Sequence, residues 1–87
     1  MILARHRIFN KHFRVRILHN KGLVKRFEER LVLFLEKYND PILKDHKLTG
    51  KMSGYRSFSI KGDVRVVYRV RGNILELYDI GSHNQVY

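Results

Sequence analysis

Apolar residues recur at helical spacing along the first half of the chain and at alternate positions along the second, so the sequence carries two periods. Between Ile8 and Leu18, Phe9, Phe13 and Ile17 stand four residues apart with Lys11, Arg14 and Arg16 between them, which predicts an amphipathic helix. Asn20-Lys21-Gly22 reads as a turn. A stronger helix is predicted from Leu23 to Tyr38, where Leu23, Phe27, Leu31, Phe34, Leu35 and Tyr38 form one stripe and Lys25, Glu28, Glu29 and Lys37 lie on other faces. Asn39-Asp40-Pro41 ends it, because proline has no amide hydrogen and restricts the residue before it. The two segments predict an antiparallel helical hairpin.

After a connecting segment from Ile42 to Met52 the period falls to two. Tyr55 to Lys61, Val64 to Arg71 and Ile74 to Ile80 read as strands, joined by turns at Gly62-Asp63 and Gly72-Asn73, an antiparallel meander. In the middle strand Val64, Val66, Tyr68 and Val70 share one face, and Arg65, Val67, Arg69 and Arg71 share the other. The helices are expected to cover the first face. Ile2-Leu3-Ala4 supplies a further strand, so the predicted class is α+β: an N-terminal strand, the helical hairpin, then three strands in one sheet packed on the helices.

Length sharpens this to a single domain over residues 1–87, and a hydrophobic content of 44% is enough for one core. The absence of cysteine excludes disulfides, thiolate metal sites and cysteine nucleophiles, and fits a cytoplasmic address. The N-terminal apolar run is too short for a signal peptide and no stretch has the length of a membrane span, so a soluble chain without membrane attachment is expected. Eighteen Lys and Arg against eight Asp and Glu leave a formal charge of +10, which calls for a polyanionic partner. Nucleic acid, an acidic protein or an anionic membrane would each satisfy that charge. His6, His12 and His19, six and seven residues apart, do not share adjacent turns of one helix face, and imply no metal site.

Four segments carry more specific information: Asp45-His46-Lys47-Leu48-Thr49-Gly50, Gly54-Tyr55-Arg56, Asp63-Val64-Arg65-Val66-Val67-Tyr68, and Gly81-Ser82-His83-Asn84-Gln85-Val86-Tyr87. In order and approximate spacing they resemble the YafQ branch of the RelE/ParE toxin superfamily, strongly from His46 onward and weakly through the helices. The resemblance implies a RelE-like fold and a toxin silenced by a cognate antitoxin. When free, such a toxin is an endoribonuclease that enters the ribosomal A site and cuts mRNA without a cofactor. It implies functional roles for His46, Asp63, His83 and Tyr87, while Arg65 resembles an arginine of the RelE branch that would sit on the scissile phosphate. The chain departs from the branch at Ser59, where those toxins carry a histidine, and at Val64, where they commonly carry tryptophan.

These residue types suit metal-independent RNA cleavage, in which a base removes the proton of a 2′-hydroxyl, that oxygen attacks the adjacent phosphate, and the departing 5′-oxygen receives a proton. Imidazole ordinarily titrates near about 6.5, so histidine serves either transfer. The arginine fork can hold phosphate oxygens as charge accumulates. On that scheme His46 acts as base or transition-state stabiliser, His83 as general acid, Arg65 on the phosphate, and Asp63 orients a histidine or accepts a proton. Tyr87 stacks on an unpaired base. Each residue also has a plain structural account: His46 as an exposed loop histidine, Asp63 as a turn aspartate, Arg65 as surface charge, His83 and Tyr87 as residues near a frayed end. Lys44, Lys47, Lys51, Arg56, Arg69 and Arg71 are assigned to general phosphate attraction.

Two other functions use the same charge: a ParE-like DNA gyrase inhibitor, and a non-catalytic RNA- or ribosome-binding module. The expected partners are mRNA, the ribosome, and an acidic antitoxin that covers the basic face with a segment folding on binding. The free toxin is expected to be a monomer and its antitoxin complex a higher-order assembly.

Overall fold

The computed structural model describes residues 1–87, and its first element is an edge strand, β1 (Ile2–Arg5). His6 then caps α1 (Arg7–His12), its Nδ1 accepting from the Ile8 amide at 3.1 Å. The predicted first helix exists but is not uniform. Its second half, Phe13–Ile17, widens into a π-helical turn that closes with the Leu18 amide on the Phe13 carbonyl at 2.9 Å.

The expected turn at Asn20-Lys21-Gly22 is instead the start of α2 (Lys21–Glu36). Asn20 is the cap, its Oδ1 accepting from the Leu23 amide at 3.1 Å, so a residue that suits turns serves a helix start. The helix ends before Tyr38, because Lys37 has left helical geometry at φ −154° and ψ 77°. Asp40 then caps a 3-10 turn, Pro41–Leu43, which buries Leu43 completely.

The connecting segment holds a strand that the alternation did not reveal, β2 (His46–Lys47), which pairs antiparallel with β3 (Arg56–Lys61). With β4 (Val64–Arg71) and β5 (Ile74–Ser82) the sheet has five strands in the order β1-β5-β4-β3-β2. The N-terminal strand lies parallel to β5, the others pair antiparallel. β5 runs to Ser82, past the expected end at Ile80, and the last four residues before Tyr87 form α3 (His83–Val86).

Phe9 and Ile17 from the first helix, Phe27 and Phe34 from α2, and Phe58, Ile60, Val66, Tyr68, Leu75 and Leu77 from the sheet form one core. Phe34 stacks on Phe58 at 4.9 Å and meets Tyr68 edge-on at 4.8 Å, fixing α2 over the middle of the sheet. The expected apolar face of β4 is covered at Val66 and Tyr68 but not at Val70, which is 46% exposed. There α2 has ended, and Val70 lines an open groove with Met1, Leu35 and Tyr38. Val67 is also fully buried, so the second face is not simply solvated. The register slips at this point: Val67 pairs with Asp79 and Tyr68 with Leu77, leaving Tyr78 as the extra residue of a β-bulge. No helix is long and apolar enough to cross a membrane.

Candidate ribonuclease site

Val64 and Val66 pack toward the helices, so alternation sends Arg65 to the opposite face of the sheet. In register, Arg65 stands between Ser59 on β3 and Gly81 on β5. The position where the resembling toxins carry a histidine is therefore directly beside this arginine. The β3–β4 hairpin turns at Gly62, whose φ of +52° favours glycine, and presents Asp63 next to the end of β5. Asp63 Oδ2 accepts from the His83 amide at 3.3 Å, and Arg65 Nε donates to the Asp63 carbonyl at 3.4 Å. Asp63 thus holds the backbone of His83 at the start of α3, not its imidazole.

Ser82 and Gln85 form a capping box across that start, with Gln85 Oε1 accepting from the Ser82 amide at 2.8 Å. Val86 is buried and anchors the turn, which leaves His83 and Tyr87 facing outward. They lie four residues apart, and their rings meet edge-on at 4.7 Å. The Arg65 guanidinium carbon lies 5.8 Å from the centre of the Tyr87 ring.

His46 reaches the same region from β2. Lys44 takes a left-handed conformation (φ +51°), and its carbonyl accepts from His46 Nδ1 at 2.9 Å. Because a carbonyl only accepts, Nδ1 carries a hydrogen, and in the neutral ring Nε2 keeps its lone pair. His46 and Tyr87 line one cavity of about 400 Å³ together with Lys47, Leu48, Thr49, Lys51 and Met52. Tyr87 therefore touches both halves: the cavity with His46 on one side, His83 and Arg65 on the other.

The remaining basic candidates divide. Lys47 and Lys51 border the cavity, and Lys44 is exposed at the left-handed turn before His46. Arg71 is exposed at the far end of β4. Arg56 is bound by Asp45, with Nη2 at 2.6 Å and Nε at 2.8 Å, and this partner raises its already high pKa. Arg69 pairs with Glu76 at 2.8 Å, which raises its pKa likewise, and lies 5.1 Å from the Tyr55 ring. These two arginines offer less free charge than their sequence positions suggested.

Asp45 was not singled out by residue pattern, yet it also accepts from the Tyr68 hydroxyl and joins the core to the loop that bears His46. Burial, then the Asp45 contact, pushes the Tyr68 phenol well above its ordinary range. Asp79 was missed too. It interrupts the apolar run of β5 and is buried against His12, with His12 Nδ1 2.6 Å from Asp79 Oδ1. An acid directly between Tyr78 and Ile80 in a strand of the core is a signal that could have flagged it.

Residues 2–87 match the family described as bacterial toxin of type II toxin–antitoxin system, YafQ. Among solved structures, a copper-bound mutant toxin from Helicobacter pylori is 34% identical, with a TM-score of 0.84 over 100% of this chain and 99% of that one. Escherichia coli YafQ superposes with a TM-score of 0.84 at 17% identity, covering 98% of this chain and 96% of that chain. YafQ in the Escherichia coli DinJ–YafQ complex gives 0.80 at 18% identity, with the same coverage. No curated protein sequence matches the chain at a significant level. The family match runs along almost the whole length, and the chain belongs to the YafQ family of bacterial toxins of type II toxin–antitoxin systems.

Proposed function

We propose that this toxin is a ribosome-dependent endoribonuclease that cleaves mRNA by attack of a 2′-hydroxyl on the adjacent phosphate. The observation that carries the reading is the meeting of His83 and Arg65 at the Tyr87 ring, which also lines the cavity that holds His46. His46 Nε2, free of the carbonyl that fixes Nδ1, takes the 2′-hydroxyl proton. The 2′-oxygen bonds to phosphorus as the bond to the 5′-oxygen breaks, leaving a cyclic phosphate on one fragment. His83 gives its proton to the departing oxygen, and Arg65 holds the phosphate oxygens as their charge grows. Asp63 positions His83 through its amide.

Tyr87 stacks on a base next to the scissile bond, and Lys44, Lys47 and Lys51 draw in the flanking phosphates. The partners are translated mRNA in the A site and an acidic antitoxin that covers this basic face, as the DinJ–YafQ complexes suggest by analogy. Primer extension on a translated message, with and without ribosomes, tests the reading. Cuts within codons that require ribosomes support it; intact message together with blocked DNA supercoiling would replace it with gyrase inhibition.

A graded effect is expected at Tyr87. Stacking on one base is worth roughly 1–3 kcal/mol, so Tyr87→Ala should weaken cleavage about tenfold or more, while Tyr87→Phe keeps the ring and most of the rate. Equal losses in both variants, measured on the same message, would give the hydroxyl rather than the ring the decisive role.

A further inference from the structure

α3 has four residues, too few to hold itself together in water, because helix nucleation is unfavourable before propagation repays it. The two side chains it presents, His83 and Tyr87, therefore take their places from whatever fixes this turn to the sheet. One tie is Asp63, which is exposed and bonds the His83 amide at 3.3 Å. The other comes from the opposite side of the sheet.

There the π-helical turn carries Arg16, whose Nη1 donates to the Ile80 carbonyl at 3.0 Å and lies 3.5 Å from Asp79 Oδ1. Asp79 Oδ1 also accepts from its neighbour's amide, that of Ile80, at 2.8 Å, and from His12 at 2.6 Å. Asp79 is 7% exposed, and a buried carboxylate is retained at low penalty only where cations and donors surround it. The end of β5 is thus clamped by two side chains of the first helix.

The next residue shows where the clamp acts. A Cβ built on Gly81 would stand 2.7 Å from Arg16 Nη1 and 2.7 Å from Gln85 Oε1, contacts that real side chains do not make. Glycine is needed here for space. The guanidinium and the Gln85 side chain both lie against the Gly81 backbone, and Gln85 is the residue that closes α3 onto Ser82. An unbroken set of contacts therefore runs from the first helix through Arg16 and Gly81 to Gln85 and the turn that presents His83.

We propose that Arg16, held by Asp79 and His12, is a positioning residue that sets the angle of α3 and with it the placement of His83 and Tyr87. The catalytic consequence rests on the ribonuclease reading above; the positioning itself does not. Misplacement of a reacting group by about 1 Å can cost a factor of about a hundred, so a clamp remote from RNA can govern rate without touching substrate.

Two variants test it. Arg16→Met keeps the length of the side chain and removes its donors. Gly81→Ala keeps the donors of Arg16 and the buried carboxylate but crowds both the guanidinium and the Gln85 side chain where they meet the Gly81 backbone, so it keeps the test open if Arg16→Met fails to fold. In each, the saturating rate of cleavage should fall about ten- to a hundredfold while the concentration of programmed ribosomes giving half the rate stays within about twofold. The second readout needs no RNA: the imidazole proton resonances of His83, shifted by the Tyr87 ring in the native toxin, should move toward free-histidine values in both variants.

Native His83 resonances in folded Arg16→Met and Gly81→Ala toxin would overturn the proposal whatever the cleavage assay gives. So would a loss of apparent affinity equal to the loss of rate. If the resonances move while His83→Ala itself leaves cleavage intact, positioning stands and the ribonuclease assignment of His83 falls.

Discussion

Replacing His83 by alanine is expected to slow mRNA cleavage by roughly 10²- to 10⁴-fold, the range that removal of a positioned proton-transfer group produces. The fold should hardly register the change. His83 is exposed, its backbone supplies the contacts that close α3, and its ring meets that of Tyr87 at 4.7 Å. Exposed substitutions of this kind usually alter stability by less than about 0.5 kcal/mol, so the melting temperature should stay close to that of the native toxin. Antitoxin binding, if it rests on the spread of basic charge, should survive too, because ten formal charges do not depend on one imidazole. The measurement is primer extension on a translated message with matched amounts of each protein. A native rate for His83→Ala would leave the departing oxygen without its assigned proton donor and would favour a binding module over an enzyme. His46→Ala offers the matching comparison, since Lys44 fixes its ring without help from α3.

The elements that periodicity could reach were the long ones. α2 announced itself through its apolar stripe, although the residue that starts it, Asn20, suits a turn as well as a cap and so misled the boundary. β2 has two residues, a single period of strand alternation and too short to establish one, and only its pairing with β3 makes it a strand. The parallel contact between β1 and β5 joins chain segments with no local signal between them. The bulge at Tyr78 could not be seen either, and it breaks the strict alternation of β5 rather than that of β4.

In the candidate site, the family resemblance nominated His46, Asp63, Arg65, His83 and Tyr87, but pairing was harder to foresee. Arg69 and Glu76 face each other because the two-residue turn at Gly72-Asn73 aligns Arg71 with Ile74, and that register was open to deduction. Arg56 meets Asp45 eleven residues away through a loop with a left-handed Lys44, which no short-range rule anticipates. Arg16 and Asp79 are farther apart still, and their contact depends on how the π-helical turn packs on β5. Candidate reacting groups could thus be nominated from the sequence, whereas the contacts that hold them belong to tertiary structure.

Asp45→Ala should produce the largest loss of stability among the polar substitutions. The Asp45 side chain is 5% exposed and serves two partners, the Arg56 guanidinium and the Tyr68 hydroxyl. Arg56 is about a third exposed and can rehydrate, so the full penalty of a broken buried ion pair does not apply. Tyr68, at 2% exposure, cannot, and an orphaned buried hydroxyl alone costs about 1–3 kcal/mol. Loss of the charged pair adds to this, and in a domain of this size each 1 kcal/mol shifts the melting temperature by about 4–8 °C, so a fall of roughly 10–20 °C is expected. Asp45→Asn, which keeps an acceptor for the hydroxyl, should lose less. The same phenol gives the fold an alkaline limit. Its folded pKa is raised, so its contribution is fully present below the unfolded value near about 10 and fades as pH climbs above that value, where the unfolded chain sheds the proton first. Tyr68→Phe should flatten this limb of a urea-denaturation series run from pH 8 to about 11. A series as steep in Tyr68→Phe as in the native protein would move the alkaline sensitivity to the exposed tyrosines and lysines. A native melting temperature for Asp45→Ala would mean that the loop carrying His46 is held by the pairing of β2 with β3 alone.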